Sequence, residues 1–205
     1  MNLNVTLEEL RKAQIVEAAV RTISSNGSAN VTMDDIARAS GLSKGGVAHY
    51  FSSKDELFKA AFKYFFDRIF QRSKETMDSF DDPEEKLLSF SWLYSWDDPD
   101  VNVGYPLLYE CMALSVHSDE YLQLFQEWID RWVCMLGDAI IEGNLTGKFH
   151  IAEPEEAARA ISAIYHGVAT RWYLGRKNHT AEWAVRSFRR AIKLFLYGGE
   201  VAGGN

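Results

Sequence analysis

Between Thr32 and Phe58 the chain marks its helix boundaries more densely than anywhere else, and that punctuation limits what it can fold into. Thr32-Met-Asp-Asp reads as a capping box with Asp in the place of Glu, so a helix opens there and turns Met33, Ile36 and Ala37 to one side. Gly41 closes it after about two turns. Ser43 caps the next helix, which carries Val47, Tyr50 and Phe51 inward at i, i+3, i+4. Ser52 interrupts that pattern, and Ser53-Lys54-Asp55-Glu56 is a full capping box. It starts a fourth helix rich in Phe58, Phe62, Phe65, Phe66, Ile69 and Phe70 that is expected to run to about Phe80. Upstream, Ile15, Ala18, Ala19, Thr22 and Ile23 lay one stripe along a first helix that Ser24-Ser25-Asn26-Gly27 stops.

Two short helices joined by Ser40-Gly41-Leu42-Ser43 have the proportions of a DNA-reading helix-turn-helix, although a corner built only for packing has the same spacing. The composition of the third helix separates the two. Its outer face, Lys44, Gly45, Gly46, Ala48 and His49, is too small and too polar to cover a core. Two glycines in the first turn cost on the order of 0.5 to 1 kcal/mol each relative to alanine, and close approach to another backbone gives them a reason. Free N–H groups and the positive dipole end at that helix start suit a phosphate or a base edge. Lys44 and Lys54 each put a cation at a helix start, which is locally unfavourable unless an anion lies opposite.

The run Thr32-Met-Asp-Asp-Ile-Ala-Arg-Ala-Ser-Gly-Leu-Ser-Lys-Gly-Gly-Val-Ala-His-Tyr-Phe-Ser-Ser-Lys-Asp-Glu-Leu-Phe58 closely resembles the TetR/AcrR family of transcriptional regulators. The likeness covers residues 10 to 65; the remainder agrees in length and helical pattern. It implies a homodimeric repressor that a ligand releases from its operator. It also implies that Thr32, Ser43, Lys44, Gly45, His49, Tyr50 and Lys54 fall on positions that touch DNA, with Gly46 and Ala48 completing the candidate interface. Ala48 departs from the pattern, because many relatives carry Tyr there, so a base preference copied from them does not transfer.

Composition agrees with a helical globular protein. Of 205 residues 47% are hydrophobic, with 6 Trp, 9 Tyr and 12 Phe, which excludes disorder, and no apolar run is long enough for a bilayer. The N-terminus lacks a basic segment followed by an apolar one, so a cytoplasmic protein is expected. Gly198 to Asn205 reads as a frayed tail. Cys111 and Cys134 suggest neither a disulfide framework nor a metal site and read as two reduced, largely buried thiols. His49, His117, His150, His166 and His179 are scattered, and no metalloprotease, nucleophile-elbow or phosphate-loop motif occurs, so neither enzyme nor cofactor is expected. The net charge of −7 is unlike that of most DNA binders. Its distribution resolves this, because residues 1 to 51 hold Arg11, Lys12, Arg21, Arg38 and Lys44 against Glu8, Glu9, Glu17, Asp34 and Asp35. All the excess lies after Phe51.

Breaks are expected at Asp81-Asp82-Pro83, Asp97 to Asp100, Gly143 to Pro154 and Gly175 to Thr180. Helices fill the intervals, with a brief extended stretch conceivable only near Lys148 to Ala152. The expected architecture is all-α with about nine helices, three short and six longer. A DNA-binding domain over 1–52 precedes a ligand-binding and dimerisation domain over 53–205. Candidate effector-lining residues are Phe62, Phe66, Trp92, Trp96, Tyr109, Met112, Trp128, Trp132, Tyr165 and Trp172, since helical bundles place apolar sites between helices. Glu110, His117, His166 and Arg171 are candidates for polar contacts. The effector is expected to be a small hydrophobic or amphipathic molecule; the acidic excess and the rings together permit a cationic one, although a solvated acidic surface also accounts for the charge. Ala160, Ala163 and Gly167, with Phe188, Ile192 and Phe195, are the candidate dimer face, and a two-fold dimer matches a palindromic DNA operator. The alternative these residues leave open is a helical ligand-binding or protein-interaction module that does not read DNA.

Overall fold

The computed structural model describes residues 6–198. They form nine helices and no strand: α1 (Leu7–Asn26), α2 (Met33–Ser40), α3 (Lys44–Tyr50), α4 (Lys54–Asp78), α5 (Pro83–Leu87), α6 (Pro99–Ser115), α7 (Asp119–Leu145), α8 (Pro154–Leu174) and α9 (Ala181–Tyr197). Single 3-10 turns cover Ser28–Asn30 and Phe90–Tyr94. The sequence expectation of an all-α chain holds, with two differences in proportion. The first helix is long, at 20 residues. The interval after Pro83 yields only a 5-residue helix followed by a 3-10 turn. The tail expected to fray, beyond Gly198, lies outside the described residues.

Local chemistry sets most boundaries. Thr32 and Asp35 make both arms of a capping box, so Asp does replace Glu in that role. At α4 the box is split: Ser53 Oγ accepts the Glu56 N–H at 3.1 Å, while the Glu56 carboxylate accepts from Ser52, N–H at 2.8 Å and O–H at 2.7 Å. Asp82 caps α5 ahead of Pro83. Between α6 and α7 the helix stops at Val116-His117-Ser118, where no Gly or Pro announces it, and restarts with Asp119 and Glu120 in its first turn. Gly143, expected as a break, lies inside α7. A Cβ there would meet the Phe149 ring at 2.0 Å, so the missing side chain is the socket that seats Phe149. That buried ring and the turn at Gly147 occupy the stretch where an extended segment was conceivable.

The chain divides into two compact units: residues up to 69 with 102–126, and residues 70–101 with those from 127 onward. The core of the first includes Ile15, Ile23, Ile36, Val47, Phe51, Leu57 and Phe62. That of the second includes Leu87, Phe90, Tyr94, Leu136, Ile140, Phe149, Tyr165, Trp172, Phe188 and Ile192. On α9 the buried positions Ala184, Phe188, Ile192 and Leu196 recur every fourth residue along one stripe. The Phe188 ring stands 5.3 Å from Tyr94 and 4.9 Å from Tyr165. Phe188 and Ile192, expected at a dimer face, are therefore core residues of the chain itself. Cys134, expected buried, is exposed, whereas Cys111 is fully buried and its thiol is pushed up to about 12 by desolvation.

Candidate nucleic-acid interface

The α2–α3 corner is rigid for identifiable reasons. Gly41 takes the left-handed conformation at φ +71, and the Leu42 N–H reaches back to the Ala37 carbonyl at 3.0 Å, which ends α2 in a tight reversal. Gln14 of α1 donates to the Ser40 carbonyl at 2.5 Å and fastens the corner to the first helix. Ser43 Oγ then accepts the Gly46 N–H at 3.1 Å and starts α3. Val47 and Phe51 bury α3 on its inner side, with Lys12 5.5 Å over the Phe51 ring.

What remains outside is the face expected from the sequence. Ser43, Lys44, Gly45, Ala48 and His49 are exposed, and Gly46 and Tyr50 are half-buried, with the His49 and Tyr50 rings edge to face at 5.0 Å. The two glycines have different explanations. A Cβ on Gly46 would sit 3.3 Å from Ser43 Oγ, so the cap itself disfavours a side chain there. A Cβ on Gly45 would meet nothing within 4 Å beyond its chain neighbours and its own helix backbone, and its φ is not positive, so among the described residues no contact or backbone angle requires glycine.

The cations and Thr32 are more engaged than the sequence suggests. Lys44 pairs with Asp34 at 3.1 Å, a solvent-exposed contact of little strength. Lys54 donates to the Ser28 carbonyl at 2.8 Å and lies 4.9 Å over Phe58, so its place at a helix start is compensated inside the chain and needs no phosphate. The exposed Thr32 hydroxyl donates to Asp35 at 2.6 Å, and these Thr32 bonds hold the Asp35 carboxyl below its ordinary range.

A further set of residues carried no sequence signal, because the partners lie far apart in the chain. Glu110, expected near an effector, instead accepts the Ser28 N–H at 2.9 Å and the Ser28 hydroxyl. Tyr121 donates to Asp55 at 2.8 Å, and Lys59 bridges Asp55 at 2.9 Å and Glu120. The bond from Lys59 is the main cause holding Asp55 below the usual carboxylate range, and Glu120 with Asp55 pushes Lys59 up to about 12. The first turns of α4 and α7 are thus cross-linked within the first unit.

The effector candidates separate into groups. In the first unit Phe62 and Phe66 stack at 6.4 Å as buried core, Tyr109 lies 6.2 Å from Tyr105, and Met112 is exposed. In the second unit Trp132 meets Phe90 at 5.0 Å and Trp128 at 6.2 Å, and Phe90 meets Tyr165 at 5.3 Å. Trp128 stacks on His166 at 5.5 Å, and burial lowers the pKa of that imidazole. The indole N–H groups of Trp92 and Trp132 are buried with no acceptor among the described residues. Arg72 covers the Trp92 ring at 3.8 Å while bridging Asp98 and Asp100. Trp96 and Trp172 stack at 4.3 Å, but Trp96 is surface-exposed and already carries Arg176 at 4.4 Å. His117 and Arg171 are exposed. Of the dimer candidates, Ala163, Gly167 and Phe195 are exposed and Ala160 is half-buried. Among the described residues no group of three His, Cys, Asp or Glu could hold a metal, and no helix is long and apolar enough to cross a membrane.

Residues 15–61 match the family described as bacterial regulatory proteins, tetR family, and residues 102–196 match BetI-type transcriptional repressor, C-terminal. An HTH-type transcriptional regulator BetI from Stenotrophomonas maltophilia is 30% identical over 190 residues, spanning 88% of this chain and 90% of that protein. Its counterpart from Paraburkholderia phytofirmans is 33% identical over 195 residues, spanning 93% and 95%. In three dimensions the chain is similar to a Saccharomonospora viridis protein solved in complex with choline, with a TM-score of 0.80, 21% identity, and 89% and 95% of the two chains covered. It is also similar to FadR from Bacillus subtilis in complex with stearoyl-CoA, with a TM-score of 0.68, 20% identity, and 91% and 98% covered.

Proposed function

The chain belongs to the TetR family as a ligand-responsive DNA-binding transcriptional regulator, and from that premise we propose that it is a cytoplasmic homodimeric repressor reading a palindromic operator. The observation that carries the choice of reading surface is Gly45, a helix-weakening residue with empty space beside it on the exposed side of α3. Ser43, Lys44, Gly46, Ala48, His49 and Tyr50 share that helix and its cap and make up the recognition surface. Thr32 and Lys54 border it, and the DNA-reading domain ends at residue 52. Lys44 has only an exposed carboxylate to give up when a phosphate arrives.

The dimer uses what the core leaves open, the half-buried Ala160 and exposed Ala163 and Gly167 on α8 and Leu194 and Phe195 on α9, since small residues admit a close helix. The effector enters the ring cluster around Trp132, where a polar oxygen on the guest satisfies the buried N–H. Its class is a small cationic, amphipathic molecule. Ring faces attract cations, and a structural neighbour holds choline.

The test is selection of a duplex from a random library by the wild-type protein, followed by titration of that complex with choline and, separately, with stearoyl-CoA. Release by choline alone supports the whole reading. Release by stearoyl-CoA alone replaces the effector class, and selection of no duplex removes DNA reading.

A further inference from the structure

The contact between Glu110 and Ser28 lies outside the recognition helix and touches no part of its reading face. Ser28 opens the 3-10 turn that leads from α1 to the Thr32 cap of α2, and it is only 8% exposed. Both of its backbone polar groups go to charged side chains. Its N–H is accepted by the Glu110 carboxylate at 2.9 Å, as is its hydroxyl, and its carbonyl accepts from the Lys54 ammonium at 2.8 Å. An anion at the amide and a cation at the carbonyl match the polarity of the peptide groups on either side, and charge-assisted bonds of this kind are stronger than neutral ones.

The neighbouring residue shows how closely the carboxylate is seated. Gly27 has φ +77, and a Cβ there would stand 3.1 Å from the second Glu110 oxygen. Only a residue without a side chain lets Glu110 reach its position at this backbone angle. The turn is short, with the Asn30 N–H bonded to the Gly27 carbonyl at 3.2 Å, so a displacement at Ser28 passes directly into the start of α2.

We infer that Glu110 is a positioning residue for DNA recognition: it holds Ser28, and through it the entry to the helix-turn-helix, without touching DNA. The inference rests on the DNA-reading surface proposed above. Glu110→Ala removes the only acceptor among the described residues for a nearly buried N–H, whereas Glu110→Gln keeps an oxygen there.

The experiment compares the wild type, Glu110→Gln, Glu110→Ala and Ser28→Ala for binding to the selected duplex at several salt concentrations, with amide hydrogen exchange over residues 26–35. Glu110→Ala is expected to weaken binding about tenfold with the salt slope unchanged, because no phosphate contact is lost. Exchange at Ser28 and the first turn of α2 should accelerate. Glu110→Gln should retain binding to within about threefold, the scale of a neutral acceptor replacing a charged one. Ser28→Ala and Glu110→Ala together should cost less than the product of the two single effects. Unchanged binding and exchange in Glu110→Ala would overturn the inference, as would an altered salt slope, which marks a direct DNA contact. If the wild type selects no duplex, the DNA reading falls and takes this role with it, while exchange still reports whether Glu110 holds Ser28.

Discussion

Substituting Gly45 by alanine should move stability and DNA affinity in opposite directions. The added methyl meets nothing within 4 Å and the backbone is ordinary helix, so the substitution introduces no clash inside the chain. Alanine is favoured over glycine by about 0.8–1.0 kcal/mol in a helix interior. Gly45 is the second residue of a 7-residue helix, so about half of that propensity, roughly 0.4–0.5 kcal/mol, is the reasonable share. For a chain of this length 1 kcal/mol corresponds to about 2–4 °C, which puts the expected rise in Tm at about 1–2 °C. On the proposed reading surface the same methyl occupies space needed by a phosphate, sugar or base edge. Overpacking an interface costs about 1–3 kcal/mol, or roughly a 5- to 150-fold increase in Kd. Calorimetric unfolding and fluorescence anisotropy with the selected duplex at one salt concentration measure both quantities. Gly46→Ala is the contrast: its Cβ would press on Ser43 Oγ at 3.3 Å, so it should lose stability as well as affinity. A Gly45→Ala protein that is more stable and binds the duplex as the wild type does would refute the assignment of this face.

Phe188→Ala should destabilise the chain by about 3–5 kcal/mol, as for a fully buried ring, while leaving the dissociation constant of the proposed dimer unchanged by sedimentation; Leu194→Lys should do the reverse. Burial lowers the His166 pKa, so the unfolded chain binds a proton more readily than the folded one. The associated stability is present above about pH 6.5 and is lost as pH falls through the folded value, so Tm should drop on acidification from pH 7 and His166→Phe should flatten that dependence. Iodoacetamide should label Cys134 in the native protein and Cys111 only after unfolding, because the latter is buried with its thiol raised to about 12; mass spectrometry showing two native adducts would contradict this.

The helix-turn-helix was legible because its determinants are local. Thr32, Gly41 and Ser43 each act on backbone groups within a few residues, and the glycine in the turn has one conformation to supply. The α6–α7 break was not legible, since Val116-His117-Ser118 contains neither Gly nor Pro and the helix simply stops there. Nor was the proposed dimer face separable from the core of α9. Phe188 and Phe195 share an apolar stripe in sequence, and only packing against Tyr94 and Tyr165 assigns Phe188 to the interior. Glu110 fell to the same limitation, because its partner Ser28 is 82 residues away and nothing local distinguishes that carboxylate from a solvated one.

The neutrality of the DNA-reading segment is built into its contacts and has a functional consequence. Of its cations, Lys44 faces Asp34 at 3.1 Å and Arg38 faces Asp35 at 3.3 Å, so these two positive charges each carry a carboxylate with them. The Asp35 carboxylate is also fixed by Thr32, whereas Asp34 is held by Lys44 alone among the described contacts. On the proposed reading surface Asp34 is a competitor that an arriving phosphate has to displace, so it holds down attraction to DNA. Asp34→Asn should strengthen binding to random duplex by about fivefold, on the order of the 1 kcal/mol that one solvent-screened charge supplies. It should strengthen binding to the selected duplex more, because there Lys44 gives up its partner and the substitution removes the cost of that exchange. An equal gain on both duplexes would mean that Lys44 does not exchange partners, and that the segment's neutrality tempers affinity alike on every duplex.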